Sequence, residues 1–169
     1  MRRHNSTYPS PPVVEVIRQP EVVIIDDDVE LTRAIGRVLK NKYDCRVWGF
    51  PSVEDFLDTL DGRREMVVKE NDLDLILLDF HLPGRNGPRL VEELERRESP
   101  LLHGSRIMGI TADGEAQVIN SFKDVGIAEI LRKPLKKLDF GRIAEQAYKI
   151  CSGSELLEPP KPKIIKTYI

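Results

Sequence analysis

The chain has 169 residues, of which 40% are hydrophobic and 32% charged, a composition typical of one globular domain with a sizeable core. Its net charge is −2, distributed as +2 over residues 1–20, +1 over residues 151–169 and −5 between them, which argues against a nucleic-acid-binding surface on the folded part. The two cysteines show no disulfide or metal-ligand pattern, and there is neither a secretory signal nor an apolar run of membrane-spanning length. These features predict a cytoplasmic protein.

The two ends of the chain are predicted to flank a folded domain that comprises residues 21–150. Residues 1–20 contain four prolines among small polar residues, a composition that favours an irregular N-terminal arm. Residues 151–169 form a C-terminal tail that includes a Pro/Lys-rich stretch suited to an extended conformation. The apolar residues Ile164 and Ile165 predict that this tail packs on the domain or on a second copy of the chain.

Five short apolar runs alternate with five amphipathic helical patterns between these ends. The predicted strands are residues 22–25, 45–50, 75–78, 106–111 and 128–133, and the helical patterns that follow them are residues 31–39, 51–60, 87–94, 115–125 and 143–150. Residues 62–72 are extra length, predicted as an extended helix or a surface loop. The alternation is typical of a parallel sheet covered by helices on both faces, so the predicted fold class is α/β.

Polar side chains occur where four of the predicted strands end. These strand-end residues are Asp26, Asp27 and Asp28 after the first strand, Asp79 after the third, Thr111 after the fourth, and Lys133 with Pro134 after the fifth. Ligands of such folds bind beyond the carboxyl ends of the strands. If the strands are ordered 2-1-3-4-5, the first and third strands are neighbours, and Asp26, Asp27 and Asp79 come together.

Such a cluster of carboxylates predicts a metal site and a phosphoryl acceptor. Neighbouring carboxylates repel each other and require a cation, and an all-oxygen site with few protein ligands suits Mg²⁺. A carboxylate beside Mg²⁺ is a nucleophile for a phosphoryl group and would form an acyl phosphate. Lys133 and the Thr111 hydroxyl would then contact phosphoryl oxygens.

Each of these residues also has a purely structural interpretation. Asp28 is predicted to cap the first helix, and Asp27 can do the same. Asp79 can begin an Asx turn, Thr111 can cap a helix, and Lys133 can be solvated. Because all of these residues are expected at the same edge of the sheet, a common functional site is the favoured interpretation. His81 is predicted to modulate access to that site.

These motifs resemble those of response-regulator receiver domains. The segment DLILLDFHLPGRNG resembles their phosphorylation-site segment, VVIIDDD their first strand with its acidic pair, GITAD their fourth-strand Ser/Thr, and ILRKP the Lys-Pro that ends their fifth strand. The motifs stand in the family's order over residues 21–150. The resemblance implies a flavodoxin-like (βα)5 three-layer sandwich with a five-stranded parallel sheet in the order 2-1-3-4-5.

The resemblance also implies a role for each site residue. Asp79 would be the phosphoacceptor. Asp26, Asp27, Asp79 and the backbone carbonyl of His81 would bind Mg²⁺. Thr111 and Lys133 would contact the phosphoryl group, and the Lys133–Pro134 peptide bond would be cis.

The implied function is that of a stand-alone receiver in a two-component or phosphorelay signal-transduction system. The protein would be a phosphoprotein without enzymatic turnover, phosphorylated by a histidine kinase or a histidine phosphotransfer protein. No output domain is expected after residue 150, so it would act on a downstream protein, on neither DNA nor a membrane, with a phosphorylation-dependent homodimer as a further interaction. Receivers often carry an aromatic residue where this chain has Ile130, so a switch of reduced amplitude is expected, running through Thr111, residues 112–115 and the helix with Phe122.

Two other functions remain open. A phosphohydrolase or phosphotransferase with an Asp nucleophile would favour a second Asp two residues after it, where this chain has His81. A pseudo-receiver would bind partners without phosphorylation and would not require the acidic residues.

Overall fold

The computed structural model of the protein describes residues 18–64, 69–102 and 106–153. The strands are β1 (Glu21–Ile25), β2 (Arg46–Phe50), β3 (Leu75–Asp79), β4 (Ile107–Thr111) and β5 (Ile130–Arg132). The helices are α1 (Val29–Tyr43), α2 (Val53–Leu60), α3 (Gly87–Arg96), α4 (Ala116–Asp124) and α5 (Lys137–Ser152), with 3-10 turns at Glu70–Asp72 and Pro100–Leu102. The predicted N-terminal arm before residue 18 and the predicted packing of the C-terminal tail lie outside the described residues.

The five strands form one parallel sheet in the order β2-β1-β3-β4-β5. The central strand β3 is buried along its whole length, which explains why its sequence is continuously apolar instead of alternating. Helices α1 and α5 pack on one face of the sheet, and α2, α3 and α4 pack on the other. The predicted three-layer α/β fold and its strand order are confirmed.

Side-chain caps begin three of the helices at the carboxyl edge of the sheet. Asp28 Oδ1 accepts a hydrogen bond from the Leu31 amide at 2.9 Å, which confirms its predicted capping of α1. Ser52 caps α2, and Asn86 caps α3 ahead of a proline in the first turn. These caps fix where each strand-to-helix loop ends, and the loops after β1 and β3 carry Asp26, Asp27 and His81.

The structure differs from the sequence prediction mainly at the ends of elements. The fifth strand has only three residues: it begins two residues later than predicted and ends before Lys133, and the proline after Lys133 has no amide hydrogen to continue the ladder. The predicted extra segment contains a 3-10 turn at Glu70–Asp72, and its residues 65–68 lie outside the described part of the chain. Helix α5 continues to Ser152, two residues past the predicted domain boundary.

An ion pair between the exposed Arg18 and the buried Asp74 ties the residues before β1 to the folded domain. Both oxygens of Asp74, which is 1% exposed, accept hydrogen bonds from the Arg18 guanidinium at 2.7 Å. Asp74 also accepts a hydrogen bond from the Glu21 amide at 2.8 Å. Arg18 belongs to the predicted arm, so the end of that segment contacts the folded domain.

Replacing Arg18 by alanine is expected to lower the free energy of unfolding by about 2 kcal/mol, because a buried carboxylate loses two charge-assisted hydrogen bonds. Urea denaturation measures this change. Arg33→Ala is the matched control, since its ion pair with Glu30 is exposed and contributes less than about 0.5 kcal/mol. An unchanged urea midpoint for Arg18→Ala would show that the Glu21 amide and water satisfy Asp74 without the arginine.

Candidate functional site

Three carboxylates meet at the carboxyl edge of the sheet. Strands β1 and β3 are neighbours with Ile25 beside Leu78, so the residues that follow them are brought together. Oxygen atoms of Asp26, Asp27 and Asp79 lie within 4.8 Å of one another. Asp26 and Asp79 are buried and Asp27 is exposed, so the cluster is open to solvent on one side. This is the arrangement that the strand order 2-1-3-4-5 predicts.

Lys133 contacts two of these carboxylates from the end of β5. Its Nζ lies 2.6 Å from Asp26 Oδ2 and 3.1 Å from Asp79 Oδ1. The Lys133–Pro134 peptide bond is cis, as the resemblance implies. A backbone hydrogen bond of 2.8 Å from the Lys133 amide to the Thr111 carbonyl holds the ends of β4 and β5 together.

The electrostatics of the site reflect its partial burial. Burial and the neighbouring Asp26 carboxylate raise the pKa of Asp79 to about 6, and the attraction of Lys133 only partly offsets them. The pKa of Lys133 is also raised: burial acts to lower it, but the contacts with Asp26 and Asp79 outweigh the burial. Holding the Asp26 and Asp79 carboxylates side by side therefore costs electrostatic free energy, and the ammonium group of Lys133 offsets only part of that cost.

The donor set fits a hard divalent cation. Asp26 Oδ2 is buried, and Lys133 Nζ, which contacts it at 2.6 Å, is shared with Asp79. Three carboxylates face one lysine, which leaves excess negative charge at an all-oxygen site. Oxygen ligands that retain access to water are those that Mg²⁺ prefers.

Thr111 is the last residue of β4 and directly follows Ile110, which pairs with Asp79 of β3. It is 2% exposed, and its Oγ1 accepts a hydrogen bond from the Asp113 amide at 3.1 Å. This bond fixes the start of the loop between β4 and α4.

His81 occupies the loop after β3, and its side chain is 62% exposed. Its Nε2 lies 3.8 Å from Asp113 Oδ2, so the imidazole bridges the loops that follow β3 and β4. The predicted role of His81 as a modulator of access to the site stays a prediction. The proposed metal contact of the His81 backbone carbonyl stays a prediction.

An aromatic contact that the sequence analysis missed joins the site to α4. The ring of Phe80, the residue after Asp79, packs edge to face on Phe122 with centroids 5.4 Å apart. Phe122 fits over Gly109 of β4, where an added Cβ would lie 3.0 Å from its ring. Ile130 is half-buried and packs in the same cluster. No local signal in the sequence identifies Phe80 as the partner of Phe122.

The sequence profile of the family described as "Response regulator receiver domain" matches residues 22–144 of the chain. The two-component response regulator ORR8 of Oryza sativa subsp. indica is 27% identical over 124 residues, which cover 73% of this chain and 94% of that protein. The sensory/regulatory protein RpfC of Xanthomonas campestris pv. campestris (strain 8004) is 24% identical over 113 residues, which cover 67% of this chain but only 14% of that protein. The chain thus corresponds to a small part of some relatives and to nearly the whole length of others.

Solved structures show the same fold. The non-phosphorylated HemR receiver domain from Leptospira biflexa has a TM-score of 0.61 and 23% identity, covering 83% of this chain and 98% of that one. The CheY-like response regulator receiver domain protein from Methanospirillum hungatei JF-1 has a TM-score of 0.61 and 16% identity, and the match covers 80% of this chain and 98% of that one. Receiver domains bind Mg²⁺ through an acidic cluster, and here Asp26, Asp27 and Asp79 form such a group. The chain belongs to the response regulator receiver domain family, the phosphoacceptors of phosphorelay signalling.

Proposed function

We propose that the protein accepts a phosphoryl group on Asp79 from the phosphohistidine of a histidine kinase or a histidine phosphotransfer protein. The observation that carries this proposal is the meeting of Asp79 with Asp26 and Lys133 at the ends of β1, β3 and β5, with Lys133 Nζ 3.1 Å from Asp79 Oδ1. Asp26, Asp27, Asp79 and the His81 carbonyl would bind Mg²⁺, which neutralises charge on the phosphoryl oxygens when bound.

The residues of the site divide the chemistry among them. An Asp79 carboxylate oxygen attacks phosphorus, an O–P bond forms, and the N–P bond of the donor phosphohistidine breaks; because the other nitrogen of that ring carries a proton, the leaving group is a neutral imidazole. Lys133 shifts from its carboxylate partners toward a phosphoryl oxygen, and the Thr111 hydroxyl donates to another. Because Asp79 and Thr111 are held at the ends of strands, the shift of the Lys133 side chain is the main rearrangement that the transfer needs.

We propose that the protein is a stoichiometric acceptor and does not turn over substrate. His81 stands two residues after Asp79, where an Asp-dependent phosphohydrolase would favour a second carboxylate, and its exposed imidazole lies beside Asp113. Turnover of a phosphomonoester such as p-nitrophenyl phosphate would instead support the hydrolase. A pseudo-receiver would not need the acidic cluster, which is complete here.

The proposed domain comprises residues 21–150, between the arm and the tail. Among the described residues, no helix combines the length and apolar composition needed to cross a membrane. We place the protein in the cytoplasm, where ATP-dependent kinases supply phosphohistidine donors. Its output would be contact with a downstream protein or with a second copy of itself.

The experiment that tests this function is phosphorylation of the full chain by acetyl phosphate, with and without Mg²⁺, mapped by mass spectrometry. One phosphoryl group per chain on Asp79, formed only with Mg²⁺, is the expected result. Modification of another residue, or none at all, would contradict the proposal.

The contact between Phe80 and Phe122 gives the signal a route from the site to α4. Phe122→Leu is expected to destabilise the protein by about 1–2 kcal/mol and to remove the change in α4 that beryllofluoride, a phosphoryl mimic, produces with Mg²⁺. Amide hydrogen exchange of residues 116–124 measures that change. Phe56→Leu is the matched control: Phe56 is also a buried partner of an edge-to-face pair, with centroids 5.4 Å apart, but it lies on α2. An α4 response that survives in Phe122→Leu would exclude this route.

A further inference from the structure

A groove of about 530 Å³ runs between α1 and β2, the edge strand of the sheet. Its walls include Arg33, Arg37 and Lys40 of α1, and Val47 and Gly49 of β2. Asp26 lies at its boundary, whereas Asp79 does not line it. The volume is in the range of ligand-binding clefts.

Close contact between helix and strand shapes the groove. A Cβ added at Gly49 would lie 2.5 Å from Thr32 Cγ2, so α1 packs where that strand residue has no side chain. A Cβ added at Gly36 would lie 3.4 Å from Val47 Cγ1 on the other side of the same contact. Glycine at both positions therefore allows α1 and β2 to approach each other closely, and Gly49 itself remains exposed.

The backbone of β2 has one hydrogen-bonding edge free. The Arg46 amide donates to the Pro20 carbonyl at 2.8 Å, and the Phe50 carbonyl accepts from the Asp26 amide at 3.0 Å, so these two residues face β1. Alternation along a parallel ladder then directs the N–H and C=O groups of Val47 and Gly49 away from β1. No strand among the described residues pairs with this edge. An unpaired edge is a template for another extended chain.

The helical wall of the groove is cationic. Arg33, Arg37 and Lys40 are spaced at positions i, i+4 and i+7, on one stripe of α1. Arg33 forms an exposed ion pair with Glu30, whereas no ion pair joins Arg37 or Lys40 to another described residue. Residues 21–150 have a net charge of −5, so this positively charged stripe differs from the rest of the domain. It therefore favours an acidic occupant.

We propose that this groove binds an extended acidic segment of a partner protein, added to the sheet as a sixth strand beside β2. The segment's backbone would pair with Val47 and Gly49, and its carboxylates would contact Arg37 and Lys40. The two ends of this chain are poor candidates for the bound segment, since residues 1–20 have a net charge of +2 and residues 151–169 a net charge of +1. A second copy is disfavoured as well, because edge-to-edge pairing of two β2 strands about a two-fold axis brings the cationic stripes together.

The test begins with selection from a random peptide library displayed on phage, using the full-length protein without any phosphodonor. The expected peptides alternate acidic and apolar residues over about five to seven positions, the length that β2 can pair. Their affinity should fall at least about tenfold in the double variant Arg37→Glu/Lys40→Glu. Lys123→Glu is the control, because Lys123 is an exposed lysine on α4, and it should bind as the wild type does.

Nuclear magnetic resonance of the selected complex shows whether a strand is added. The amides of Val47 and Gly49 should shift and exchange more slowly when peptide is bound, whereas those that face β1 should not. Failure to enrich acidic peptides, equal binding to the double variant, or perturbation of α1 without protection of these two amides would overturn the proposal. Because no phosphoryl group is present, such a failure is separate from a failure of Asp79 to be phosphorylated.

Discussion

Asp79→Asn is expected to abolish phosphorylation of the protein by acetyl phosphate while leaving the fold intact. Asparagine is nearly isosteric with aspartate, but its amide is a poor nucleophile and a neutral metal ligand. Burial and Asp26 already disfavour the Asp79 carboxylate, whose pKa is raised to about 6, so a neutral side chain fits this position. Mass spectrometry of the intact protein should show that labelling is lost, and thermal melting without Mg²⁺ should show a folded variant.

Asp113→Asn is the matched control for this change. Asp113 is another carboxylate in the loop after β4, 3.8 Å from His81 Nε2, but it lies outside the Asp26, Asp27 and Asp79 cluster. This variant should still accept one phosphoryl group per chain. Stoichiometric labelling of Asp79→Asn at a different residue would refute the assignment of the acceptor.

Mg²⁺ is expected to raise the thermal stability of the wild-type protein, and Asp27→Asn should remove most of this increase. A ligand that binds only the folded state stabilises it by about 2.7 kcal/mol when its concentration is a hundred times the dissociation constant. Asp27 is exposed, so its replacement alters the charge of the cluster without disturbing the core. Melting temperature against Mg²⁺ concentration measures the change, which should appear as a weakening of Mg²⁺ binding by at least about tenfold.

The neighbouring residue provides the control for the metal site. Asp28 is adjacent to Asp27 in sequence, but its carboxylate caps α1 and is not part of the cluster. Asparagine is an equally good cap, so Asp28→Asn should keep both the stability and the Mg²⁺ response of the wild type. If Mg²⁺ leaves the melting temperature of the wild-type protein unchanged, the three carboxylates do not form a metal site.

The strands, the helices and the α/β class could be predicted because they follow from features that are local in sequence, whereas the strand order was implied by the resemblance to receiver domains. Continuous apolar runs such as residues 75–78 are the mark of strands buried on both faces, and helical spacing identified the elements between them. In a parallel sheet, the residues that end neighbouring strands lie at the same edge. A strand order was therefore enough to bring Asp79 to Asp26 and Asp27, although their roles in phosphorylation remain a proposal.

The remaining features depend on contacts between residues that are distant in the chain. Arg18 and Asp74 pair across 56 residues, and nothing beside either of them in the sequence indicates the other. The packing of Phe80 on Phe122 over Gly109, and the groove beside the edge of β2, likewise depend on how the helices lie on the sheet. Periodicity records which side of an element is buried, but not which side chains meet there. That choice is made when all the layers pack together at close to crystal density, so only the tertiary structure decides it.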